Sequence, residues 1–299
     1  MPTARLRTPT EVRCNPANHD NFYTRFARLM KTSYVHGYKG RENERLQDQA
    51  TALTELLHHD TSYPAGSTVL EVGCGVGAQT LILAERNPDA RITSIDISAE
   101  SVATAKQKVD AVGLTNVKFE EADLFDLPYK PESFDHIFVC FVLEHLSRPH
   151  HALNILKRLL KPRGSITVIE GDHSSTFFYP DNPAAHAAIE SLVRTQAQSG
   201  GNALIGRELY PLMIEAGFDD VRVSPRMVYV DGSRPGLADS FTRKTFTAMI
   251  EGVRESAIDA GLIEPQSFDE GVKALYRASK PDGVFCYTFF KAVATKTNS

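Results

Sequence analysis

Apolar positions along the chain follow a helical period first and a strand–helix alternation afterwards. Between Asn18 and His59, Phe22, Phe26, Leu29 and Met30 share one helical face. Leu46, Ala50, Leu53 and Leu57 do the same after a break at Gly37 and Gly40. This predicts an N-terminal helical extension over residues 1–60. From Thr68 to Gly171 short apolar runs alternate with amphipathic stretches, the pattern of βαβ units around a parallel sheet buried on both faces. The predicted strands are Thr68–Val72, Arg91–Ile97, Val117–Glu121, Asp135–Phe141 and Ser165–Glu170. The predicted helices are Gly77–Asn87, Ala99–Val112 and His150–Leu160, the last ended by Pro162 and Gly164. Beyond Gly171 the pattern predicts helices at Pro183–Gln198, Gly206–Ala216, Leu237–Ile263 and Phe268–Ala278, with strands at Val221–Val230 and Val284–Ala292. Residues 61–299 thus read as one α/β domain, doubly wound and Rossmann-like. Its excursions at about 172–205 and 234–280 are too long for plain connectors and read as helical lids over a substrate pocket.

Composition narrows the classes. The 299 residues are 42% hydrophobic and 23% charged, which excludes disorder as the dominant state. A net charge of −4 supplies no general drive toward nucleic acid or an anionic membrane, so neither is an expected partner. Cys14, Cys74, Cys140 and Cys286 form no C-x-x-C pair, and no run reaches 18 apolar residues. The opening MPTARLRTPTEVR lacks an apolar signal core, and its acid-poor first ten residues leave an organelle-transit reading open; a cytoplasmic protein is the default expectation. His58-His59 and His150-His151 are adjacent pairs rather than an i, i+4 set, so no metal is expected.

The chemistry begins at Val69-Leu70-Glu71-Val72-Gly73-Cys74-Gly75-Val76-Gly77, a buried strand running into a glycine-rich turn that opens a helix. Glycines there let a ligand approach the backbone, and the free N–H groups of a helix start face it. Nineteen residues after Gly77, Asp96 ends the next predicted strand, where a carboxylate accepts hydrogen bonds from ribose hydroxyls. Two adenosine cofactors fit this geometry. A dinucleotide fingerprint is G-x-G-x-x-G with a pyrophosphate on the helix. Here the glycines fall as G-x-G-x-G behind Glu71, an acid that repels a pyrophosphate and suits a cationic ligand such as S-adenosylmethionine (SAM). An NAD-linked oxidoreductase remains the alternative, and a non-catalytic SAM-binding protein a third.

At these residues the chain resembles the class I SAM-dependent methyltransferases, over about Gly66 to Gly171. E-V-G-C-G-V-G resembles the family's first motif, Ser94-Ile95-Asp96-Ile97-Ser98 its ribose-binding strand, and Ala122-Asp123-Leu124 its adenine-flanking turn. Phe134-Asp135-His136-Ile137-Phe138 with Val142-Leu143-Glu144-His145-Leu146 is similar to the fourth-strand segment of the small-molecule subgroup that includes ubiquinone-biosynthesis C-methyltransferases. Leu160-Lys161-Pro162-Arg163-Gly164 matches its fifth motif, with Arg163 where glycine is common. The resemblance implies a seven-stranded sheet with the last strand antiparallel. It also implies SAM as cofactor and S-adenosylhomocysteine as product. Glu71, Gly73, Cys74, Gly75 and Gly77 would surround the methionine part, Asp96 the ribose, Ile97, Asp123 and Leu124 the adenine, and Cys140 the methyl group.

Candidate proton-transfer residues stand at strand ends: Glu144 and His145 after the fourth strand, Glu170, Asp172 and His173 after the fifth. His145 reads equally as a helix cap and Asp172 as an N-cap. Tyr34 and Tyr38, four apart around Gly37, read as a cover over the cofactor or as core packing. Arg207 and Tyr210 read most simply as a solvated helix face, and Phe285, Tyr287, Phe289 and Phe290 as the packed faces of the last strand. Within the subgroup, Y-x-x-G-Y, C-F-V-L-E-H-L, E-G-D-H and the C-terminal insertion together resemble secondary-metabolite enzymes, the gliotoxin-type dithiol bis-thiomethyltransferases in particular. That implies a small-molecule dithiol acceptor, with C- or O-methylation of a small aromatic or quinone-like acceptor as the alternative, and a monomer or homodimer.

Overall fold

The computed structural model describes residues 53–297. Strands β1 (Thr68–Val72), β2 (Arg91–Asp96), β3 (Val117–Glu121), β4 (Phe134–Cys140), β5 (Leu160–Tyr179), β6 (Asp219–Val230) and β7 (Val284–Thr295) form one sheet in the order β3-β2-β1-β4-β5-β7-β6. The first five are parallel, and β7 runs antiparallel between β5 and β6. Helices α1 (Ala78–Arg86), α2 (Ala99–Ala111) and α3 (Pro149–Leu159) make the crossovers. The central strands are apolar at successive positions because both sheet faces are covered. Val69 and Phe138 enter one core, with Leu83, Leu192 and Phe285; Leu70, Ile137 and Val139 enter the other, with Leu153, Leu156 and Met213. Each such leucine or phenylalanine, fully buried, contributes about 1.5–3 kcal/mol relative to exposure.

Local chemistry fixes the element ends. The Ser98 hydroxyl accepts the Ser101 N–H at 3.2 Å to start α2, and Asn182 caps α4 (Pro183–Gln198) ahead of a proline at its first turn. A short 3₁₀ turn, Ile205–Glu208, leads into α5 (Leu209–Glu215), so the helix expected over 206–216 is two pieces. The helix expected from Leu237 to Ile263 is also broken, with a π-helical stretch at Ala238–Thr247. There the Thr245 and Thr247 hydroxyls bond carbonyls five residues back, at Ser240 and Thr242. Helix α6 (Pro265–Ala278) then packs on α4.

The largest difference from expectation is β5. Residues 172–179, expected to leave the sheet, continue in it: Phe177, Phe178 and Tyr179 pair with Cys286, Phe285 and Val284. The register shifts between Asp172 and Phe177, and the polar run Ser174-Ser175-Thr176 fills that bulge. The Ser175 hydroxyl bonds the Asp172 carbonyl at 2.7 Å and receives the Thr288 N–H at 3.0 Å, while Thr176 bonds the His173 carbonyl at 2.8 Å. Side chains thus replace the missing ladder bonds. Among the described residues no helix is long and apolar enough to cross a membrane. The extension expected over residues 1–60 lies outside the described residues up to residue 52; residues 53–58 are helical, with Leu53 and Leu57 in the core.

Candidate active site

The glycine turn lies between the carboxyl end of β1 and the start of α1, as the spacing predicts. Gly73, Gly75 and Gly77 have φ of 72°, 50° and 81°, a region that costs other residues about 1–2 kcal/mol. A Cβ on Gly75 meets nothing within 4 Å, so the turn faces open space there. A Cβ on Gly73 would stand 2.4 Å from Cγ2 of Val142, so the missing side chain lets the loop after β4 sit directly against the turn. The Asp96 carboxylate accepts the Gly75 N–H at 2.8 Å and the Ser98 N–H at 2.9 Å. Four lone-pair positions on its two oxygens leave capacity for two ribose hydroxyls. Ile97 is 64% exposed beside it, and Leu124 is buried behind the exposed Asp123, whose carboxylate bonds the Phe125 N–H. An open glycine cradle, an acceptor-rich carboxylate and an uncovered isoleucine together fit an adenosine ligand with a small, flexible tail.

Glu71 sits deeper than a ligand contact requires. Its carboxyl is buried beneath the turn, takes the Ser94 hydroxyl at 2.5 Å and has Thr80 alongside. Burial pushes it up to about 7, Ser94 and Thr80 pull down against that, and Asp96 adds to the rise. A carboxyl whose folded value exceeds its ordinary 4.5 favours folding while protonated, and that advantage is lost as pH rises from 4.5 to about 7. Glu71→Gln is therefore expected to gain stability relative to the parent on going from pH 4.5 to 7.5, by on the order of 3 kcal/mol. Urea unfolding without ligand at the two pH values measures this, and parallel curves for both proteins would refute it.

Beyond the turn, polar groups gather at the carboxyl ends of β4 and β5. Glu144 lies in a 3₁₀ turn, Leu143–His145, with His145 Nε2 at 3.6 Å from one carboxylate oxygen and His173 Nε2 at 3.7 Å from the other. Gln196 Nε2 donates to the Glu144 carbonyl at 3.0 Å, and the Asn202 N–H does so at 2.7 Å. Glu170 does different work from a base. One of its oxygens accepts the Val142 and Leu143 N–H groups at 3.0 and 2.7 Å, holding the turn that carries Glu144. Burial and the Glu144 charge push its carboxyl well up, against those N–H donors. Asp172 is engaged too: Arg207 makes a two-pronged ion pair with it at 2.6 and 2.7 Å. Burial also pushes the Cys74 and Cys140 thiols well up, so both remain neutral walls.

The structure thus brings Glu144, His145, Glu170, Asp172 and His173 together, and the glycine turn meets the loop that carries Glu144 where Gly73 faces Val142. Tyr34 and Tyr38 lie outside the described residues. Arg207 and Tyr210 are exposed, as expected of a solvated helix face, and Arg207 in addition pairs with Asp172, 35 residues upstream, which no local pattern announces. Tyr287 is packed in the core, as expected of the last strand's face, and its hydroxyl in addition lies 2.7 Å from His173 Nδ1. Among the described residues no group of three or more His, Cys, Asp or Glu is placed to hold a metal ion.

Comparison with known proteins places the chain in a family. A family model described as a methyltransferase domain matches residues 64–217, just over half of the chain. The 27-O-demethylrifamycin SV methyltransferase of Amycolatopsis mediterranei (strain S699) is 28% identical over 253 residues, 84% of this chain and 86% of that one. Methyltransferase GfsG of Streptomyces halstedii is 28% identical over 213 residues, 71% and 74% of the two chains. In fold, the chain is similar to phosphoethanolamine N-methyltransferase 2 of Haemonchus contortus, with a TM-score of 0.53 at 17% identity over 84% of this chain and 52% of that one. The chain belongs to the methyltransferase-domain family and is a class I SAM-dependent methyltransferase.

Proposed function

We propose that the chain methylates a hydroxyl oxygen of a small molecule, with the Glu144–His145 pair taking the proton. The observation that carries this is the Glu144 carboxylate set between two histidines, on a turn pressed against the donor loop through Val142 and Gly73. A relative along most of the chain is named for a 27-O-demethylated acceptor, which favours oxygen.

When bound, SAM supplies an electrophilic methyl group on a good leaving group, so the protein's task is alignment and proton removal. Gly73, Gly75 and Gly77 hold its amino-acid part, Asp96 the ribose, Ile97, Asp123 and Leu124 the base, and Cys140 borders the methyl. An alcohol acceptor needs a positioned base; a thiol, with a reference pKa near 8.5, needs little help. The dithiol acceptor implied by the sequence resemblance therefore has no specific support in this site, where the polar groups are those an alcohol needs.

Calorimetric titration with SAM, then assay of S-adenosylhomocysteine formation with catechol and with dithiothreitol, tests the proposal. Catechol turnover is expected; turnover of the dithiol alone would move the assignment to sulfur. Asp96→Ala is expected to weaken SAM binding by about 1–3 kcal/mol through lost charge-assisted hydrogen bonds. Unchanged affinity in that variant would remove the cofactor placement.

A further inference from the structure

We propose that Tyr287, on β7, is a positioning residue for the Glu144–His145 pair and acts through His173; this rests on the base reading above. The Tyr287 hydroxyl lies 2.7 Å from His173 Nδ1, and both side chains are buried. On the other edge of the ring, Nε2 faces the Glu144 carboxylate at 3.7 Å. A phenol donating to Nδ1 leaves the imidazole proton on Nε2, the atom that faces a negative charge. His173 Nε2 thus faces one Glu144 oxygen, to which Gln196 Nε2 donates at 3.4 Å, and the second oxygen is turned toward His145.

Two features show that the fold makes room for this chain. A Cβ on Gly171 would stand 2.2 Å from the Tyr287 hydroxyl oxygen, so the phenol crosses β5 where no side chain blocks it. The bulge after Asp172 takes His173 out of the β5–β7 ladder, with its N–H bonded to the Ala203 carbonyl instead, and so aims the ring. Burial among Glu144, Asp172 and Glu170 keeps the phenol protonated, as a donor must be. The other charged or titratable groups facing this chain are Arg207 on Asp172 and Cys140 near the two glutamates, with Glu71 and Lys291 acting on that thiol.

The experiment uses the full chain, labelled with [15N]histidine and saturated with S-adenosylhomocysteine. Long-range proton–nitrogen correlation spectra read each tautomer, and the His173→Gln spectrum assigns the His173 signals. In the parent, His173 is expected to carry its proton on Nε2. In Tyr287→Phe, which keeps the ring packed against Phe241, Phe246 and Phe289, that tautomer is expected to be lost. Catechol turnover is expected to fall roughly tenfold at unchanged SAM affinity. Tyr287→Phe added to His173→Gln should cost nothing more, since the two act in series. A parent His173 with its proton on Nδ1, or a Tyr287→Phe enzyme with the parental rate, overturns the proposal. A His145→Gln enzyme at the parental rate overturns the base reading itself, and the positioning role with it.

Discussion

Glu144→Gln and His145→Gln are each expected to lower kcat for an alcohol acceptor by about 10²–10⁴-fold, the usual contribution of a positioned general base. Glutamine at 144 preserves the length of the side chain, and the Glu144 carbonyl keeps its bonds from Gln196 and Asn202, so the turn stays in place. SAM affinity should hold, because Asp96 and the glycine turn are untouched. The two losses should not add, since either variant disables the same pair. Acceptor acidity supplies the discriminating measurement. An acidic nitrophenol, already ionised at neutral pH, needs no base and should lose far less rate than an alcohol. Equal losses for both acceptors would mean that the pair orients the acceptor and takes no proton.

Asp60→Ala is expected to destabilise the fold by about 1–3 kcal/mol: it removes the counter-charge of a buried cation, while solvent at the 43% exposed Asp60 side chain screens the pair. Lys291 on β7 is 2% exposed, and its ammonium group bonds the Leu57 carbonyl at 3.1 Å, Asp60 at 2.6 Å and the Thr61 hydroxyl at 2.6 Å. Arg226 on β6 pairs with the same carboxylate. Partial burial pushes Asp60 up, but the hydrogen bonds from Lys291 and Arg226 outweigh it and hold the carboxyl well below its usual range. A depressed carboxyl stabilises the fold above its ordinary value of 3.8, and that contribution is lost as pH falls below it. Urea unfolding near pH 7 measures the effect. Lys291→Met in the Asp60→Ala background should restore part of the loss by removing the stranded charge. A loss under 1 kcal/mol for Asp60→Ala would show that water reaches the ammonium group.

The donor half of the site was legible in the sequence because its chemistry is local. A turn that needs left-handed backbone at 73, 75 and 77 requires glycines, and Asp96 ends the adjacent parallel strand, so spacing alone brings them together. The acceptor half was legible only as a list of polar residues. Whether Glu170 takes protons or clamps amide groups depends on the loop from Phe141 to His145 folding back over it. Asp172 depends on Arg207, and His173 on Tyr287, 114 residues away. Such pairings leave no period in a chain. The continuation of β5 past Glu170 was hidden for a related reason: Ser174, Ser175 and Thr176 satisfy the backbone with hydroxyls, so the apolar alternation that announces a strand lapses just where the strand bulges. The break in the helix near Thr245 was likewise invisible, since threonine is ordinary in sequence and the back-bonding of its hydroxyl is not.

The seam between Gly73 and Val142 has an evolutionary consequence. In the proposed site most residues assigned to the donor fall between Gly73 and Leu124, with Cys140 at the methyl, whereas the polar groups assigned to the acceptor come from the segment after β4, the bulge of β5, the turn at Arg207 and β7. Selection can therefore act on the two stretches separately. Duplicated copies of such a gene can diverge in the second stretch and acquire new acceptors while still drawing on one shared methyl donor. Change at the seam itself is penalised from both sides, because a side chain at position 73 would spoil the turn and push away the loop that carries Glu144 at once.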